Sequence, residues 1–341
     1  MTPWHDFLST QGAIFKDGVL QSFGDVKTEL AASHGDILTS LSHLGLLEVS
    51  GEDAVTFLQG QVTNDVKKLT GNNSQYAGYC NPKGRLLALF LAFAHADHLH
   101  LQMPLSLLEP IMKRLKMYVM RSKVVISDKS EDIVCFGVAG PHAEQLLTSL
   151  FNQVPTAPEQ LITLADATLL KLRGEIPRYQ VFTHTENAER IWQALANGCT
   201  KVGKSVWDYL EIQAGIPEIV PATQEAFVPQ MINLDALDGI NFKKGCYTGQ
   251  EIVARTHYLG KVKRRTQLAH INSDNMPQAG DVIQLQGHEE AIGQVVRAAA
   301  TPEGGVDMLV ELRLENLEPH AGLPVWQDQV LTFKKLPYTL D

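Results

Sequence analysis

The segment 241–255, NFKKGCYTGQEIVAR, sets one thiol between two glycines and directly after two lysines. Glycine admits positive φ and close backbone approach, so Gly245 and Gly249 would let the chain bend sharply around Cys246. Thr248 and Glu251 have the T-x-x-E spacing of a capping box, which predicts a helix or helical turn beginning around Gly249. A cysteine just ahead of a helix start meets unsatisfied N–H groups and the positive end of the helix dipole, and Lys243 and Lys244 add charge nearby. Such a setting favours the thiolate of a group whose free pKa is about 8.5. The competing reading is a small buried residue in a tight turn, since free cysteine is among the most buried types.

The other chemistry-bearing types are less pointed. Cys80, Cys135, Cys199 and Cys246 are widely spaced with no C-x-x-C pair, so neither a disulfide framework nor a zinc knuckle is expected, and a reducing compartment fits best. His95, His98 and His100 have i, i+3, i+5 spacing that matches no standard metal site, and they read as a loop; no metal is expected. The local basic stretches are KVKRR, residues 261–265, and KRLK, residues 113–116, both of which read as solvated faces.

The elements that must position these residues follow from pattern. LGLLEVSG reads as a strand, followed by a helix and exit loop over FLQGQVTNDV, with Ser50 and Asp53 spaced as a capping box. QYAGYCNPKGRLLALFLAF reads as two strands around a turn at Asn81 to Gly84, LSLLEPIMKRLKMYV as a helix and SKVVIS as a strand. A second lobe begins near Ile133 with the strand IVCFGVAG, the helix PHAEQLLTSLF and the later helix ENAERIWQALANG. After Lys261 short strands separated by glycine, proline and acidic turns predict a small antiparallel barrel. The first forty residues are weakly patterned. The expected division is 1–132 and 133–260 as two α+β lobes and 261–341 as a barrel.

At 341 residues, two or three lobes are expected, and 44% hydrophobic with 20% charged residues is ordinary for a globular chain. A formal net charge of -9 repels nucleic acid and anionic membrane, so any RNA contact must be local. No signal-like start and no run of about 18 apolar residues is present, which predicts a cytoplasmic protein with no membrane partner.

The octapeptide KGCYTGQE, with FVPQMINLDALDGINFKKG before it and IVAR after it, resembles the signature of the YgfZ-type folate-binding proteins, which include mitochondrial iron–sulfur assembly factors. FLQGQVTNDV, CNPKGRLLA, RSKVVIS and EIQAGIPEI resemble further family segments in the family's order, so the likeness runs from about Leu44 through most of the chain. It implies an α+β fold like that of the glycine-cleavage aminomethyltransferase: two mixed lobes around a central opening and a C-terminal barrel. It also implies tetrahydrofolate as cofactor, iron–sulfur enzymes including tRNA-thiolating ones as partners, and Cys246 as the residue linked to activity, supported by Lys244, Gly245, Tyr247, Gly249, Gln250 and Glu251.

A pterin needs a flat apolar neighbour and an amide or carboxylate for its N–H groups. The resemblance places a folate-contacting tryptophan at Trp207 and a pterin partner at Gln213, which would both face an opening if SVWDYLEIQAGIPEI is extended or turns there. Two departures stand out: the family has glutamate where this chain has Gln213, and a second tryptophan would fall at Leu44. CNPKGRLLA aligns with the region of the aminomethyltransferase's catalytic aspartate, yet carries Leu86, Leu87 and Ala88 there. Without that acid the same aminomethyl transfer is disfavoured. The expected function is a folate-binding accessory factor for iron–sulfur enzymes acting through Cys246; the alternatives are a folate-dependent one-carbon transferase or demethylase, and a direct tRNA binder.

Overall fold

A computed structural model describes residues 2–258, 260–318 and 322–340. The chain divides into two compact units, the first comprising Met1–Phe57, Val66–Gln75 and Leu91–Leu210, the second Leu58–Asp65, Tyr76–Phe90 and Glu211–Asp341. Each unit draws on separate stretches of chain, because strand pairing and burial join residues far apart in sequence.

In the first unit a six-stranded sheet runs in the order Leu161–Thr163, Thr168–Leu172, Arg178–His184, Ile133–Ala139, Ile37–Ser40, Thr200–Lys201. Its pairs are antiparallel except the last, which is parallel. Ile37–Ser40 enters this sheet although the rest of its strands follow residue 133. Leu8, Ile191 and Trp192, from helices Pro3–Thr10 and Thr185–Ala196, are fully or almost fully buried with Phe136, Val138 and Tyr179 of the sheet. Trp4 meets Trp192 edge-on at 5.4 Å, and its Nε1 donates to Ser40 Oγ at 3.0 Å. The first forty residues are therefore regular despite their weak pattern: helix Pro3–Thr10 starts on Thr2, a hairpin joins Ile14–Lys16 to Val19–Ser22, and Asp25 caps helix Val26–Ala31. These pieces are too short to show a period, and tertiary burial stabilises them.

A five-stranded sheet has the order Ser74–Cys80, Leu86–His95, His98–Pro104, Leu44–Ser50, Val125–Asp128. The helix Leu105–Val119 buries Leu107, Leu108, Ile111 and Leu115, the i, i+4 stripe that its sequence shows. The expected capping box at Ser50 does not form: Ser50 stays in its strand, and the Asp53 carboxylate accepts from Lys123 N at 2.7 Å while the helix begins at Ala54. SVWDYLEIQ is helical, Lys204–Gln213, so the extended or turned course on which Trp207 and Gln213 would both face an opening is not adopted.

The second unit holds a seven-stranded antiparallel sheet in the order Gln329–Val330, Pro324–Trp326, Val282–Leu285, Ala291–Ala300, Val306–Arg313, Arg264–Ile271, Thr332–Lys334. It curls into the nearly closed barrel that the short-strand texture predicts. Ala269, Ile271, Val295, Met308, Val310 and Leu312 fill its interior.

Candidate functional site

The cysteine loop is fixed in the second unit by groups that lie nearly two hundred residues upstream. Asn241 N donates to Thr63 O at 3.0 Å, and Thr63 Oγ1 and Asn64 Nδ2 donate to the carbonyls of Gly239 and Asp238 at 2.6 and 2.7 Å. Lys244 then turns inward. Its ammonium donates to Gln59 O, Val62 O and Asn64 O at 2.6, 2.6 and 2.9 Å, and lies 5.1 Å from the Tyr247 ring centroid. Three donors meet three acceptors, which is how a buried ammonium is satisfied. Burial pulls its pKa down to about 8, with Asp65 opposing.

Lys244 therefore acts as a strut, with its ammonium donating to three carbonyls. Lys243 stays exposed. Tyr247 is buried, and that burial pushes its phenol up. Cys246 lies between these two anchors and is exposed, whereas Cys80 is buried and Cys135 and Cys199 are partly covered. Burial pushes the thiols of Cys80 and Cys199 up to about 12 and that of Cys135 higher still.

The two glycines differ. Gly249 has φ +84°, and a Cβ there would stand 2.5 Å from Asn81 O and 2.8 Å from Gly84 Cα. The loop thus docks on the Asn81–Gly84 turn, which is itself closed by Asn81 Oδ1 accepting from Lys83 N and Arg85 N at 2.9 and 3.0 Å. Gly245 has neither a positive φ nor any atom within 4 Å of an added Cβ. The helix Gln250–Tyr258 follows, with Gln250 N accepted by Tyr247 O at 3.2 Å and Glu251 exposed in its first turn. Phe242 stacks on His257 at 3.7 Å, joining the start of the loop to the end of this helix.

Trp207 is 1% exposed. A Cβ on Gly137 would lie 2.4 Å from its ring, and the Arg178 guanidinium stands 5.6 Å from the ring centroid. Gln213 Nε2 donates at 2.7 Å to Asp307, whose buried carboxylate also meets His270 Nδ1 at 2.7 Å and Lys334 Nζ. Six residues along an α-helix is a rotation of roughly 240°, so Trp207 and Gln213 do not share a helix face. With the ring covered and the amide engaged, these two side chains as placed do not fit a pterin stacked and hydrogen-bonded on them.

Leu86, Leu87 and Ala88 are buried. Arg85 donates to Ala226 O and is half-buried. Within KVKRR, Arg264 forks onto Glu311 and Arg265 pairs with Asp235. Among the described residues no group of three His, Cys, Asp or Glu side chains could hold a metal ion, and no helix is long and apolar enough to cross a membrane.

Sequence reasoning missed the clamp made by Gln59, Val62, Thr63 and Asn64. FLQGQVTNDV carries a signal in its likeness to a family segment, but four of its six contributions to the lysine and loop are backbone carbonyls, which no residue type reveals.

The α+β architecture with a terminal antiparallel barrel defines an aminomethyltransferase-like protein: the structure matches glycine cleavage system aminomethyltransferase T from Bartonella henselae with a TM-score of 0.75 at 16% identity, covering 98% of this chain and 96% of that one. The GCVT N-terminal domain family matches residues 20–236. The tRNA-modifying protein YgfZ of Colwellia psychrerythraea is 35% identical over 306 residues, 89% of this chain and 93% of that protein. The protein of the same name from Yersinia pestis is 34% identical over 307 residues, with 89% and 92% covered. The chain belongs to the YgfZ family.

Proposed function

We propose that this protein is a tetrahydrofolate-binding accessory factor that supports iron–sulfur enzymes of tRNA modification, with Cys246 as its working group. The observation that carries the reading is the exposure of Cys246, alone among the four cysteines in being open, on a loop held from both sides by buried Lys244 and Tyr247. A held thiol can present one sulfur to a docking partner at little entropic cost. It cannot assemble a cluster alone, because ligation takes four cysteines as a rule. The tRNA context rests on the names of the relatives, and folate binding rests on family membership, since Trp207 and Gln213 are engaged elsewhere. When bound, the folate would supply one-carbon or ring-nitrogen chemistry; the chain's own contribution is the positioned thiol.

The test is the level of iron–sulfur-dependent tRNA thiolation in cells that lack the protein and receive either wild type or Cys246→Ser. Both forms should melt alike and bind tetrahydrofolate alike. Thiolation should fall to the level of the empty strain with the serine form. Full thiolation with Cys246→Ser would make the cysteine structural and overturn the reading.

A further inference from the structure

The histidine run folds as a hairpin end: Ala96 and Asp97, with φ of 49° and 63°, make a two-residue turn that pairs His95 with His98. It is not the loop expected from its spacing. The strand that leaves this turn, His98–Pro104, runs into the helix Leu105–Val119, and the outer face of that helix has no part in the reading built on Cys246. Residues 110–127 contain no acidic side chain and five cations, Lys113, Arg114, Lys116, Arg121 and Lys123. Lys113 pairs with Glu109 and Lys123 with Glu52, but all four side chains are largely in solvent, where an ion pair holds its partners weakly. Lys116 and Arg121 are exposed and have no ion-pair partner among the described residues.

The inner face of the helix buries Leu107, Leu108, Ile111 and Leu115. Positions i, i+3, i+4 and i+7 share a helix face, so Lys113, Lys116, Met117 and the capping Met120 lie together on the side opposite that stripe. Met120 is 87% and Met117 68% exposed, the two most open large hydrophobic side chains among the described residues. Met120 also ends the helix with φ 46° and ψ -104°. A residue with a Cβ is strained there, and glycine is the usual choice at such a stop. The chain thus accepts backbone strain at an apolar side chain held in water, and at that exposure no packing within the chain offsets it.

We propose that this face docks a short amphipathic segment of a partner protein, whose carboxylates meet Lys116 and Arg121 and whose apolar side chains cover Met117 and Met120. Unbranched thioethers adapt to apolar partners of varied shape, and a local excess of cations on an otherwise acidic molecule selects carboxylates. A tRNA backbone or an anionic bilayer extends far beyond the screening length of about 8 Å and meets the rest of a molecule of net charge -9, which repels it. A segment of a few residues meets the patch alone. The two thioethers also lie between cations along the axis, not in a stripe of their own, as a helix lying in a membrane surface requires.

The experiment titrates the whole protein into a labelled helical peptide of leucine and glutamate and follows its fluorescence anisotropy. The same peptide with lysine for glutamate, the same with alanine for leucine, tRNA, and vesicles of phosphatidylcholine mixed with phosphatidylglycerol run beside it. The leucine–glutamate peptide should bind at least about tenfold more tightly than either altered peptide, and more tightly than tRNA or the vesicles. Lys116→Glu with Arg121→Glu should weaken it about tenfold or more and shift the preference to the lysine peptide. Met117→Ser with Met120→Ser should weaken it as much, and so should Met120→Gly, whose backbone accepts the positive φ; all these side chains are exposed, so each variant should melt no lower than wild type. Absence of peptide binding, binding undiminished by the charge reversals or by the methionine substitutions, or tighter binding of tRNA or vesicles than of the peptide overturns the proposal.

Discussion

At the scale of single residues, Lys244 shows how one side chain can be chosen for a reason its type conceals. Two adjacent lysines before a cysteine suggest a local positive field, yet only Lys243 remains in solvent. The Lys244 ammonium donates to three carbonyls, and its bonds to those of Val62 and Asn64 are buried. Lys244→Met keeps the length and removes the donors, and each orphaned carbonyl costs about 1–3 kcal/mol. With two buried carbonyls orphaned, the variant should therefore lose about 2 kcal/mol or more at pH 7, seen as a lower denaturation midpoint in urea. The pH dependence has a fixed sign. The folded pKa of about 8 lies below the unfolded value of 10.5, so between them the unfolded chain holds a proton that the folded one has released. Stability from this group accordingly rises with pH across that window, and the rise should be missing from Lys244→Met. Wild-type stability in the variant at pH 7 would mean that water serves the carbonyls.

At the scale of elements, the loop that carries Cys246 is shaped by docking on the Asn81–Gly84 turn. Gly249→Ala forces a Cβ against Asn81 O in a left-handed conformation, and should cost about 1–3 kcal/mol. Gly245→Ala meets open space and should melt as wild type does. Equal effects from the two substitutions would remove the docked-turn account. Much of this element-level picture was legible beforehand: Leu105–Val119 shows its apolar stripe, the hairpin shows its Asn-Pro-Lys-Gly turn, and the barrel shows its short strands. Trp207 and Gln213 were legible as types but not as contacts, since the space for the ring comes from Gly137 and the hold on the amide from Asp307. Both partners lie far along the chain, where local period carries no information. The helix Lys204–Gln213 was missed because its polar and apolar residues serve several surroundings at once, which blurs a single stripe.

At the scale of the whole molecule, charge decides what can approach. The chain carries a net charge of -9, and its concentrated cations are largely matched: Lys113 by Glu109, Lys123 by Glu52, Arg264 by Glu311 and Arg265 by Asp235. RNA binding without base readout depends on free cations releasing counterions from the phosphate backbone, and reaches Kd values of roughly 10⁻⁴–10⁻⁶ M at physiological salt for proteins equipped for it. A protein with this charge distribution should bind tRNA no more tightly than about 10 µM at about 0.15 M salt, with a shallow dependence of affinity on salt. Filter binding across a salt series measures both quantities. Submicromolar affinity with a steep slope would mean that the protein contacts tRNA itself. The weak, shallow result would favour the proposed reading, in which a partner protein handles the tRNA and Cys246 meets that partner instead of the nucleic acid.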